Sequence, residues 1–165
     1  MNQKKYLILG IDPGTRITGY GVIKTDLRSF EAIDFGCIRP SQKLSLHQRY
    51  KEIYEGVYHL LERYPIEAVA IESQFVSRNV QSALKLGMAK GVALLAATMR
   101  EIPIFEYAPR KAKMAVVGNG AASKGQVQRM IQTLLNLDSL PTPEDAADAL
   151  SLAIAHANHL KPLYS

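Results

Sequence analysis

The chain is poorest in whatever would tie it together covalently or hold it in a membrane. Its 165 residues include a single cysteine, Cys37. That excludes an internal disulfide and suits a reducing compartment, so the expected location is cytoplasmic and the thiol is expected to be a small core residue on a strand. No uninterrupted apolar stretch approaches the ~18 residues that a membrane-crossing helix needs, and the N-terminus lacks a signal-peptide layout, so no membrane is expected as a partner. Internal repeats, low-complexity tracts and linkers are also missing. The length is about one domain's worth, and residues 1–165 are expected to form one domain with its core over about 6–159.

A more telling absence is local. From Ile131 to Leu160 there is no Lys or Arg, against four acids: Asp138, Glu144, Asp145 and Asp148. From Ser73 to Met130 the balance is reversed, with nine Lys/Arg and only two acids, Glu101 and Glu106. A basic middle followed by an acidic segment fits a polyanionic partner combined with a cation-seeking pocket.

What is present reads as alternating strands and helices. "YLILGI" (Tyr6–Ile11) is a buried strand, Ile17–Thr25 and Phe30–Ile38 are two more, and "DLRS" is a hairpin turn between the latter pair. Leu46, Tyr50, Ile53, Val57, Leu60 and Leu61 recur at helical spacing, which predicts a helix over about Leu44–Arg63 stopped by Pro65. "IEAVAIE" (Ile66–Glu72) is a buried strand, Asn79–Arg100 a helix carrying Gly87 and Gly91, and Ile104–Tyr107 a short strand. The remainder is helical: Pro109–Val116, then a helix capped by Ser123 with Gln126 completing a capping box, then a last helix from about Pro143 to His159. A hairpin followed by alternating elements implies an α/β fold with a mixed sheet flanked by helices.

Two buried strands end in an acid, Asp12 and Glu72. At the carboxyl ends of neighbouring parallel strands, an α/β sheet offers its usual ligand crevice. Asp12 before Pro-Gly is also sound turn chemistry, and each acid alone is unremarkable. Asp145 and Asp148, three apart, lie on one helix face. Thr142-x-x-Asp145 reads as a capping box with Pro143 at the first helical position. Asp148 opens a nearly all-apolar run to Ala157, which marks a buried helix and makes an uncompensated carboxylate there costly. Four carboxylates without a matching His/Cys set select a hard cation, Mg²⁺ or Mn²⁺ in its place. Two such ions about 4 Å apart can activate water and stabilise the leaving oxygen of a phosphodiester. His156 and His159, also three apart, lie several turns from Asp145 and read as packing residues.

At this point the motifs coincide with a known set. "GIDPGTRITGYGVI", "AIESQF", "SALKLGMAKG", "VVGNGAASKGQVQRMI" and "DAADALSLAIAHA" follow in the order found in the RuvC family of bacterial Holliday-junction resolvases, which the chain resembles from about Tyr6 to His159. The resemblance implies a ribonuclease-H-like fold with a five-stranded mixed sheet, and a homodimeric, Mg²⁺-dependent endonuclease making paired nicks across four-way DNA junctions, with two ions per subunit. It implies metal ligation by Asp12, Glu72, Asp145 and Asp148, catalytic help and DNA contact from Lys113 and Lys124, and a junction-probing aromatic at Phe75. Arg78 and Arg110 are the further DNA-contact candidates, and cooperation with the branch-migration complex RuvAB is implied as well.

Three other readings compete. "DPGT" is similar to the phosphate loop of actin-like and sugar-kinase ATPases, but that class needs two lobes and a second glycine-rich loop, so no nucleotide cofactor is expected. A nuclease for RNA–DNA hybrids would use the same acids. A junction-binding protein without cleavage would not need all four.

Overall fold

The computed structural model describes residues 4–73 and 78–164. Five strands, β1 (Tyr6–Asp12), β2 (Thr18–Thr25), β3 (Phe30–Ile38), β4 (Ala68–Glu72) and β5 (Ile104–Tyr107), form one sheet in the order β3-β2-β1-β4-β5. The β1–β2 and β2–β3 pairs are antiparallel, while β1–β4 and β4–β5 are parallel. The expected hairpin turn is present: Asp26 Oδ1 accepts from the Arg28 and Ser29 amides at 2.9 and 2.8 Å. Helices α1 (Leu46–Arg63), α2 (Val80–Thr98), α3 (Pro109–Val117), α4 (Lys124–Leu134) and α5 (Glu144–Tyr164) cover the sheet.

Strand periodicity sorts the core into two layers, since successive side chains point to opposite faces. Leu9, Ile11, Val69 and Ile71 pack with α1 and α2 on one face. Ile8, Ile23 and Ala70 pack with α3, α4 and α5 on the other. Asp12 and Glu72 share the parity of Ile8 and Ala70, so both belong to the α5 face. Helix α5 lies unusually close to the backbone of β1 and β2 there. A Cβ at Gly10 would fall 1.8 Å from the Ala149 carbonyl oxygen, and one at Gly19 would fall 2.0 Å from that of Asp145. Only glycine leaves room for this approach.

Some boundaries and roles differ from the sequence reading. Helix α5 begins at Glu144 rather than Pro143; Pro143 precedes it and its carbonyl accepts from the Ala146 amide at 3.0 Å, so Pro143, not Thr142, occupies the capping position. Cys37 is half-buried on the edge strand rather than in the core. Gly87 and Gly91, which equally suited close packing on the sheet or on another copy, lie on the exposed side of α2. This helix is also long and apolar enough, at a mean hydropathy of 1.2, to cross a membrane by length and composition, although Lys85 and Lys90 interrupt it.

Candidate active site

The parallel register of β1 and β4 pairs Ile11 with Ile71. One residue further on, both strands end, at Asp12 and Glu72. Beyond Asp12, Pro13 and Gly14 turn the chain, and the turn is pinned by the buried Thr18 hydroxyl. That hydroxyl accepts from the Gly14 amide at 3.2 Å and donates to the Gly14 carbonyl at 2.9 Å. The first turns of α5 bring Asp145 and Asp148 to the same end of the sheet, held there by the close seat on Gly19.

The four acids interact electrostatically although they are distant in sequence. Burial, followed by repulsion from Glu72, Asp148 and Asp145, pushes the Asp12 carboxyl up to about 8, against the pull of Lys124. Burial also raises Glu72, with Asp148 adding to the rise and Lys90, Lys113 and Lys124 opposing it. Asp148 is raised by burial as well, with Lys124 the chief opposing charge. Among the described residues no three acid, histidine or cysteine side chains already close into a ligand cage. What exists is a rigid frame holding carboxylates that burial and mutual repulsion disfavour as anions. An all-oxygen donor set under that stress fits a hard divalent cation.

Beside the acids lies a cleft of about 160 Å³ lined by Glu72, Lys113, Lys124, Asp148 and Ser151 among others. Its wall has a local cause. Ser123 caps α4 and Gln126 reaches back to the Ser123 amide, completing the expected capping box and fixing Lys124 at the first helical position. Lys124 bonds Glu144 at 3.1 Å, which raises its pKa and keeps it cationic. Lys113 reaches the same cleft from α3. Arg110 runs along Gly120 instead and Arg78 is exposed before α2; neither lines this cleft. Phe75 lies outside the described residues.

The histidines do not join the site. His156 is fully buried, with its Nδ1 2.7 Å from the Tyr107 hydroxyl and its ring stacked on Phe105 at 4.1 Å. Burial pushes its pKa down to about 4, so it packs as a neutral ring. His159 stacks behind it.

Comparison with known proteins agrees with this architecture. The family model for crossover junction endodeoxyribonuclease RuvC matches residues 8–156. The chain belongs to the RuvC family. A crossover junction endodeoxyribonuclease RuvC from Protochlamydia amoebophila is 59% identical over 155 residues, covering 94% of this chain and 92% of the relative. The structure of Thermus thermophilus RuvC in complex with a Holliday junction substrate superposes with a TM-score of 0.89 at 33% identity, covering 95% of this chain and 96% of that one. The yeast mitochondrial Holliday junction resolvase Ydc2, at 15% identity and a TM-score of 0.67, shares the fold. The ribonuclease-H-like sheet expected of a RuvC-family resolvase is thus the one found.

Sequence reasoning missed Arg16 and Lys85. Both line a second cleft on the other side of Asp145, with Ser82 and Thr15. Their separation along the chain concealed them; the fold brings both to this cleft.

Proposed function

We propose that this protein resolves four-way DNA junctions by paired symmetric nicks, using Asp12, Glu72, Asp145 and Asp148 to hold Mg²⁺ or Mn²⁺, two ions per subunit. The observation that supports this most directly is the four carboxylates gathered at one end of the sheet, with Asp12 held near 8, in a RuvC-family chain. A bound divalent cation supplies Lewis acidity there, activating water and neutralising charge that develops on the phosphoryl oxygens. The protein's own groups do the rest. Lys113 and Lys124 line with positive charge the cleft that Glu72 and Asp148 also border, so a phosphodiester would sit between these lysines and the cation the acids would hold. Lys124 at the start of α4 adds the helix N-terminus to its own charge at a phosphate. Arg78 and Arg110 serve the backbone farther out, and Phe75 is the aromatic for an unpaired base. The whole chain, with its core over about 6–159, acts as one nuclease domain.

The homodimer has support in α2. Val80, Leu84, Met88, Leu95 and Met99 are 51–68% exposed and recur at helical spacing as one apolar stripe. Gly87 and Gly91 lie on the exposed side as well, and a Cβ at Gly91 would touch nothing within 4 Å. A second copy packed across a two-fold axis would cover the stripe and present two identical sites to a junction with matching symmetry. Cooperation with RuvAB and a cytoplasmic location follow from the same family reading.

The test presents purified protein, with Mg²⁺ and separately with EDTA, to a mobile four-way junction, a linear duplex and an RNA–DNA hybrid. Symmetric nicking of the junction alone, lost with EDTA, is the expected result. Cleavage of the hybrid with the junction untouched would move the function to the hybrid-nuclease reading.

A further inference from the structure

The carboxylates sit between two clefts, and only the one with Lys113 and Lys124 has so far been given a role. The other is larger, about 430 Å³, and is lined by Gly14, Thr15, Arg16, Ser82, Lys85 and Asp145, with two apolar residues. Asp145 borders this cleft while Asp148, on the same helix face, borders the smaller one. A strand whose scissile phosphate lies over the acids therefore has neighbouring phosphates on both sides.

The geometry points to Arg16, Lys85 and Ser82 as a second phosphate subsite, one that holds the cleaved DNA strand on the side of the scissile bond away from Lys113 and Lys124. This rests on the carboxylate centre proposed above. Three observations favour a phosphate as the occupant. Arg16 is exposed on a turn whose backbone is tied down by Thr18, so its charge is presented from a fixed base. Among the described residues neither Arg16 nor Lys85 forms an ion pair, whereas Lys124 and Lys90 are paired with Glu144 and Glu106. Both cations are thus free for an external anion. The acid in the cleft is Asp145, whose charge a bound cation would offset, leaving two cations and a hydroxyl to face the backbone. The subsite also stays open in the proposed dimer. Ser82 and Leu86, at i and i+4, lie away from the stripe of Val80, Leu84 and Met88, and Lys85, three residues before Met88, stands at its margin.

The cations here are a positioning device for the strand and touch no reacting atom. Their test reads binding separately from cleavage. Junction affinity would be measured in EDTA for the wild type, Arg16→Ala, Lys85→Ala and Arg16→Lys, across a range of salt. Loss of one phosphate contact should lower the salt slope by about 0.7–0.9 per subunit, with partial recovery in Arg16→Lys. Junctions carrying one uncharged methylphosphonate, moved stepwise along the cleaved strand, then locate the contact. At one position on one side of the cut, the wild type should lose affinity and Arg16→Ala should lose no more. Losses that add at every position, or an unchanged slope in both alanine variants, would overturn the subsite. Failure of the carboxylate reading would appear elsewhere, as Asp12→Asn protein that still cuts.

Discussion

Helix α5 carries titratable groups at both ends, half-buried Asp148 at one and buried His156 at the other, and the two ends treat them differently. At the far end, His156 is supplied from within: a hydrogen bond to Tyr107, a stack on Phe105, and a pKa low enough to keep the ring neutral. At the near end, Asp148 joins Asp12 and Glu72 in a set whose members repel one another and are offset only by lysines across a cleft. A buried polar group that the fold satisfies is structure. Half-buried charges that the fold assembles and leaves opposed are waiting for something the chain does not contain. The same helix shows both cases within a few turns, which is why charge pattern alone does not separate a ligand site from a core histidine.

The largest effect should come from breaking the unsatisfied end. Asp12→Asn or Asp148→Asn keeps the shape and removes one anion. Even outer-shell partners of metal ligands are worth 10–100-fold, so junction nicking in single turnover should fall by more than about a hundredfold. Binding in EDTA should persist. Near wild-type cutting by either variant would remove these residues from the centre.

The next effect is on stability, and it has opposite signs at the two ends. Asp12 ionises near 3.8 in the unfolded chain and near 8 in the fold. Between these values the folded protein holds a proton the unfolded chain has released. Metal-free protein should therefore lose stability as pH rises through that window, by an amount on the order of a few kcal/mol. His156 behaves in reverse: its folded pKa is near 4 against 6.5 unfolded, so stability should fall as pH drops through that range. For these two groups the slopes cancel between about pH 4 and 6.5, so thermal melts in EDTA should be level over that range and fall from 6.5 to 8. Asp12→Asn should leave stability rising from pH 4 to 6.5, and His156→Gln should leave it falling across the whole range, with nicking per folded molecule retained only in the second. A single variant that abolished both slopes would mean the two ends are not independent.

Much of the frame behind this contrast could be read from residue order. The limits of β3 and β5 and the Ser123–Gln126 cap are set by local chemistry, and they emerged where alternation and capping patterns placed them. Asp12 and Glu72 were legible because each closes a buried strand, at the end of the sheet where a ligand crevice forms. The start of α5 was not: Thr142-x-x-Asp145 fits the capping pattern by residue type, yet the helix starts one residue later, and the seat of α5 on Gly19 belongs to tertiary packing. The free side of Gly87 and Gly91 was equally hidden, since a small residue permits close approach without saying by whom. Arg16 and Lys85 had no local signature.

The smallest effect lies at the edge of the contrast, where a surface pair stands beside the half-buried acids. Lys124 and Glu144 meet at 3.1 Å with side chains 62% and 54% exposed. To hold a phosphate, Lys124 must share or leave that partner, and an exposed pair of this kind is worth about 0–1 kcal/mol. Glu144→Gln should therefore tighten junction binding by no more than about fivefold at low salt, with the gain fading as salt rises. Lys124→Ala should weaken binding and lower the salt slope by about 0.7–0.9 per subunit. The double variant decides what the pair does. If Glu144 acts by occupying Lys124, its removal should bring little gain once Lys124 is gone; an equal gain in both backgrounds would make Glu144 a general repeller of DNA and leave the lysine free of it.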